Sequence, residues 1–442
     1  MHPRFHRPSR RLSATDPHPQ RAQLLWLKRA QALAAAVVAL LLLFSAASLH
    51  AQEPPPADEP SRVFFPIAAR MPLPEALWPP KDAEEVSPNT WLQWTWNPAG
   101  LDPIHLQGVT YDVLLDKGEG YPQTVVAQGL AQSHLALAGL ELGTAYVWQP
   151  IARTASGLAV AGPIRHFTTL SGALPTTAAE LESMIDVPAG AFVMGCDWKN
   201  TGGQGCRWRE VPQHTVWLSS YRIDRYEVTN QQYAACVRAG GCDEPRFSHS
   251  ARRDWYYGNP GFNTYPVLYV SWWDADRYCR WAGKRLPTEA EWEKAARGPV
   301  DTRPWPWGEA DITCALANFT DTRIEKWVGC VGDTTAVGSY PLSASPYGLM
   351  DVAGNAFEWV WDKYDENYYH YSPAVNPTGP GGDRSPESVP AFTIRGGSYR
   401  PQWFYPRTMN RHWGHHGESE SDRDRPFYRN NQVGFRCAQS MP

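Results

Sequence analysis

The stretch Val270–Gly298, VSWWDADRYCRWAGKRLPTEAEWEKAARG, constrains the fold more than any other part of the chain. It encodes two helices back to back, each with its start written in. Ser271 is followed by Asp274 and Thr288 by Glu291, at the capping-box spacing. In such a box a hydroxyl and a carboxylate satisfy amides that the first helical turn leaves without partners. Gly283 and Gly298 stand where each helix must stop, because glycine enters the left-handed conformation of a helix C-terminus without steric cost. Pro287 keeps the first helix from running into the second. Trp273, Cys279 and Trp281 are bulky and apolar, which predicts that the pair packs against a large body of protein.

A chain of 442 residues predicts two folded units. A net charge of -4 with mixed signs argues against binding by phosphate neutralisation, so no nucleic-acid partner is expected. With 21 Trp, 35 Gly and 40 Pro against 19% charged residues, large aromatic cores joined by many turns are expected.

Residues 1–51 read as a signal peptide. Arg21, Lys28 and Arg29 precede an apolar run from Ala32 to Phe44, and small residues lead to cleavage after Ala51. Uncleaved, the same segment would anchor the chain in a membrane. The expectation is a secreted or extracytoplasmic protein. All 8 cysteines lie between Cys196 and Cys437, an even number that suits an oxidising compartment. Cys196 with Cys206, Cys236 with Cys242 and Cys314 with Cys330 are close enough for local bridges, which leaves Cys279 for Cys437. Sequence alone leaves the connectivity open.

Residues 52–84 form a proline-rich linker. Over 85–170 the pattern alternates with period two: Leu92, Trp94 and Trp96, then Val109, Tyr111, Val113 and Leu115, then Tyr146 and Trp148. Short strands between Gly, Pro and Asp turns predict an all-β sandwich. Leu140, Gly143 and Tyr146 in GLELGTAYVW have the spacing of a tyrosine corner, and the segment resembles a fibronectin type III module, with a spacer role. A small-residue linker at 171–180 precedes a second domain over 181–440. There Thr229 and Gln232 cap a helix ending near Arg238, and long irregular segments follow.

VPAGAFVMG, YRIDRYEVTNQQYAACV, the helix pair, SPYGLMDVAGNAFEWVWD, IRGGSY and NNQVGFRCA occur in this order. Together they closely resemble the formylglycine-generating enzyme (sulfatase-modifying factor) family over about 184–438. The resemblance implies an α+β fold, C-type-lectin-like and rich in irregular structure, with structural calcium. Catalytic members of that family oxidise a substrate cysteine to formylglycine with oxygen and a Cu(I) ion held by two cysteine thiolates, soft ligands that select that metal. The positions matching those cysteines are Pro401 and Pro406, so copper is not expected and no catalytic residue is carried over.

For one calcium site the resemblance implies Asp351, Gly354, Ala356 and Glu358, two carboxylates and two carbonyls that make a hard oxygen shell. For the second it implies Asn318, Phe319, Asp333 and Thr335. The segment Arg395–Trp413 is crowded with aromatics and arginines, residue types that dominate binding hot spots. Tyr399, Trp403, Arg407 and Arg411 are therefore the expected ligand-binding surface, for an extracellular peptide or glycan. His412, His415 and His416 offer a different reading, a replacement metal site in an oxidase of the formylglycine-generating type. The recognition reading is favoured because the thiols that the reaction requires are absent.

Overall fold

The computed structural model describes residues 74–96, 108–323, 328–382, 391–400, 405–415 and 430–441. The signal segment and most of the proline-rich linker lie outside them, as do Pro401, Trp403 and His416. The described residues belong to one unit, Met71–Pro442.

Its N-terminal part is built of two sheets. Glu75–Trp78, Trp91–Thr95 and His134–Ala136 form one, with the middle strand antiparallel to both neighbours. The other runs in the order Ala83–Val86, Arg165–Thr169, Ala145–Arg153, Thr110–Lys117 and Val125–Leu130, with Ala159–Ala161 also paired to Ala145–Arg153. Leu92, Trp94, Val113, Leu115, Tyr146, Trp148 and Phe167 form their shared core. Trp96, which shares the sequence parity of Leu92 and Trp94, packs in a separate small cluster with Ala152 and Val160. The Glu141 N–H donates to the Tyr146 phenol at 3.1 Å, pinning the turn before that strand.

Trp91 points the other way. It stacks on Trp78 at 4.7 Å and receives the edge of Tyr347 at 4.8 Å, joining the aliphatic core of the second part. Asn89 donates to the carbonyls of Leu342 and Ala344, while Arg303 donates to the Asn89 carbonyl. The two parts thus share a packed, hydrogen-bonded boundary.

In the second part the helices form where their caps lie. Helix α1 is Asn230–Arg238, α2 Trp272–Trp281 and α3 Glu289–Arg297, each with a complete capping box, from Thr229, Ser271 and Thr288. Gly240, Gly283 and Gly298 follow with φ of 73°, 72° and 85°. Trp272 and Cys279 are buried, whereas Trp281 is 44% exposed, so the apolar face of α2 is carried by Trp272, Ala275, Tyr278 and Cys279.

Strands β1 (Phe357–Lys363), β2 (Ala391–Arg395), β3 (His412–His415) and β4 (Val433–Phe435) make a sheet in the order β3-β2-β1-β4, with β4 parallel to β1. Both ends of the domain enter one further sheet, in which Tyr221–Asp224 lies between Met184–Val187 and Ala438–Ser440. Four disulfides join Cys196 to Cys206, Cys236 to Cys242, Cys279 to Cys437 and Cys314 to Cys330. Elsewhere the second part is mostly turns. The whole is a mixed α+β fold with a β-rich N-terminal region.

Candidate functional site

The segment that follows β2 is held from within. The Arg395 guanidinium bonds Glu289 at 2.9 Å and Glu293 at 2.6 Å, both on α3. Gly397 has φ of 77°, and a Cβ there would meet the Pro406 nitrogen at 2.8 Å, so the chain can fold back on itself only at a glycine. Tyr399 is fully buried, and its hydroxyl donates to the Asn431 carbonyl at 3.0 Å. Arg407 grips Glu210 at 3.0 and 3.1 Å and donates to the carbonyls of Thr201 and Gly205. Arg411 grips Glu289 at 2.7 and 2.9 Å and lies 4.1 Å from the Tyr369 ring centroid.

This corrects the expected ligand surface. Tyr399, Arg407 and Arg411 are each 0% exposed, and they knit the interior together instead of facing a ligand. A guanidinium is buried only where carboxylates and carbonyls complete its hydrogen bonds. Those partners lie far away in sequence, which hid the outcome.

The residues expected at the first calcium site converge around a tight turn in which Asp351 and Asn355 both have positive φ. Gly354 approaches the Asn318 carbonyl so closely that a Cβ would sit 2.3 Å from it. Asp351 Oδ2 accepts the Gly338 amide at 2.7 Å, while Asp351 Oδ1 is buried with no partner. Glu227, which the sequence reading missed, stands beside it and accepts from the Ala356 amide and the Asn355 side chain. Glu358 is engaged by Arg436 through two bonds and by Trp292 Nε1 at 2.7 Å.

Three carboxylates thus crowd one guanidinium. Burial pushes the Asp351 carboxyl up to about 6, with repulsion from Glu358 adding to it. Burial, then Asp351 and Glu358, holds Glu227 well above the usual range. Among the described residues no three His, Cys, Asp or Glu side chains are placed to hold a metal by themselves. A cation here would therefore depend on backbone carbonyls as well. Asp351 Oδ1, buried and unpaired beside this excess of negative charge, fits such a cation.

The second set is differently placed. Asn318 Oδ1 is buried without a partner. The Asp333 carboxylate, however, already accepts from Ser250 Oγ, the Arg252 amide and the Thr334 amide, with Arg253 at 3.1 Å. The Phe319 carbonyl accepts the Cys330 amide, and Thr335 donates to Asn355 Oδ1. Arg253 thus brings positive charge to Asp333, while Asn318 Oδ1 is the one buried side-chain atom of this set left without a partner among the described residues.

His412 stacks on Trp413 at 4.8 Å, and its Nδ1 lies 3.0 Å from the Trp413 carbonyl oxygen. The side chain of His415 is outside the described residues, as is His416. A cavity of about 630 Å³ opens between the end of α2 and the start of α3, lined in part by Arg280, Lys284, Trp361 and Asn376. Arg280 and Lys284 pair with Asp276 and Asp224, and none of the ligand- or metal-site residues expected from the sequence lines the cavity.

The sequence matches the sulfatase-modifying factor enzyme 1-like domain over residues 171–441. The chain belongs to that family. The formylglycine-generating enzyme of Streptomyces coelicolor is 33% identical over 328 residues, covering 64% of this chain and 96% of that protein. A Chlamydia pneumoniae protein named serine/threonine-protein kinase pkn1 is 36% identical over 271 residues, 59% of this chain. The chain spans only 38% of that relative's length. Among solved structures, Treponema denticola variable protein 1 aligns with 22% identity and a TM-score of 0.42, over 58% of this chain and 95% of that one. All 8 cysteines of this chain are in disulfides.

Proposed function

We propose that this is an exported, non-catalytic recognition protein, in which a sulfatase-modifying-factor-like domain holds a ligand and performs no oxidation. The fate of the cysteines carries the reading. Formylglycine generation needs thiolates, both to hold Cu(I) and to exchange with the substrate thiol. With every cysteine bonded and prolines at 401 and 406, this chain has none to offer. Export is supported by the N-terminal pattern and by four disulfides, which persist in oxidising compartments. Among the described residues no helix is long and apolar enough to cross a membrane.

The test is incubation with a Cys-x-Pro-x-Arg peptide, copper, oxygen and a reductant, followed by mass spectrometry. No aldehyde product is expected. Turnover by the unmodified protein, lost in His412→Ala, would establish the oxidase with a histidine metal site instead.

The same reading includes one calcium ion, held by Asp351 and Glu358 with the carbonyls of Gly354 and Ala356. When bound it supplies positive charge to the crowded carboxylates and needs no redox chemistry. Chelation is expected to lower the melting temperature. Saturation at about 100 times the dissociation constant corresponds to roughly 2.7 kcal/mol. Asp351→Asn is the suitable control, because it leaves the Glu358–Arg436 pair in place. Identical melting curves for the unmodified protein with and without calcium would remove the ion from the reading.

A further inference from the structure

Seven arginines among the described residues are buried. Six of them, Arg297, Arg303, Arg395, Arg407, Arg411 and Arg436, pair with carboxylates. Arg209 is only 7% exposed, yet its Nε has no partner and no carboxylate of the described residues pairs with it. Its backbone is fixed, since Arg411 donates to its carbonyl at 3.0 Å. The guanidinium lies 5.2 Å from the centroid of the Trp413 ring, on β3. The adjacent Glu210 is engaged by Arg407 and Asn410, and Arg207 adds positive charge nearby.

A second free donor meets the same tryptophan. The Tyr364 ring centroid is 4.9 Å from that of Trp413, and its hydroxyl is buried without a hydrogen-bond partner. Burial pushes that phenol up to about 12, so at neutral pH it carries its proton. Arg209 and Tyr364 are close enough to perturb each other's ionisation. An uncompensated buried guanidinium is costly, whereas a planar fork beside a phenol is well matched to oxyanion oxygens.

We propose that Arg209 and Tyr364 form, against the Trp413 ring, a subsite for an oxyanion group, whether carboxylate, sulfate or phosphate, carried by the ligand of this domain. The proposal rests on the recognition reading and gives it a ligand chemistry. Binding of sodium acetate, sulfate and phosphate is measured by calorimetry and thermal melting at matched ionic strength, with chloride as the reference. Saturable binding is expected, preferring acetate for a carboxylate ligand and sulfate or phosphate for a tetrahedral one. Arg209→Gln is expected to weaken it about tenfold or more, and Tyr364→Phe by less. In chloride alone Arg209→Gln should melt no lower than the unmodified protein, because it deletes an uncompensated charge. The proposal is overturned if the anions raise the melting temperatures of the unmodified protein and both variants equally, which is the signature of exclusion from the surface. It is also overturned if Arg209→Gln melts lower by the same amount with and without anion. Either result removes the subsite while leaving the peptide-oxidation test of the recognition reading untouched.

Discussion

Replacing Arg436 by glutamine is expected to destabilise the protein by about 3–5 kcal/mol, the range for breaking one side of a buried ion pair. Both Arg436 and Glu358 are fully buried. All the guanidinium donors are used: Nε and Nη2 on the Glu358 carboxylate, Nη1 on the carbonyls of Asp224 and Arg225, and Nη2 also on the Met350 carbonyl. Glutamine would leave Glu358, Asp351 and Glu227 together with no cation among them. Glu358→Gln alone should cost a similar amount, because it strands the guanidinium. The double variant should lose much less than the sum of the two, since neither charge is then left alone. Denaturant titrations of the four proteins in chelator measure this cycle. Single variants that each cost under about 1 kcal/mol would show that the pair does not carry the charge balance of the cluster.

The helices were readable because their signals are local. Each capping box closes within one turn of the chain, and each stop glycine adjoins the helix it ends, so no knowledge of the fold is needed. The family's motif order carried the rest of the second domain, which has little periodicity to read. The arginines show where this reach ends. Arg407 and Arg411 look like surface residues because they sit among aromatics, but Glu210 and Glu289 lie 197 and 122 positions away along the chain. Nothing local distinguishes an arginine with a distant buried partner from one that waits for a ligand. Arg209 is the converse. Its neighbours Arg207, Trp208 and Glu210 gave no hint that, of the buried arginines among the described residues, it would be the one to lack a carboxylate. Glu227 was missed for the same reason, as it meets Asn355 and Ala356 from 128 and 129 positions away. Burial and charge pairing over such distances are properties of the packed chain.

Removing the Cys279–Cys437 bridge by a double alanine substitution is expected to have an effect as large. The bridge closes a span of 158 residues, and the chain-entropy model puts its contribution at about 5 kcal/mol. The other three close spans of 10, 6 and 16 residues and restrain the unfolded chain less. Location adds a native-state term. Cys279 lies on α2, Cys437 just beyond β4, and both are fully buried in the core with Tyr233, Tyr278 and Phe435. Alanine at both positions therefore leaves a void as well as a looser unfolded state. The bond also fastens the last segment of the domain to its helix pair, close to Arg436 and hence to the carboxylate cluster. Melting of the variant should accordingly depend more steeply on calcium than that of the unmodified protein, if the ion and the bridge hold the same segment. Guanidinium titrations with and without calcium separate the two contributions. A loss of less than about 2 kcal/mol, equal in both conditions, would place the stability of this segment in its packing instead.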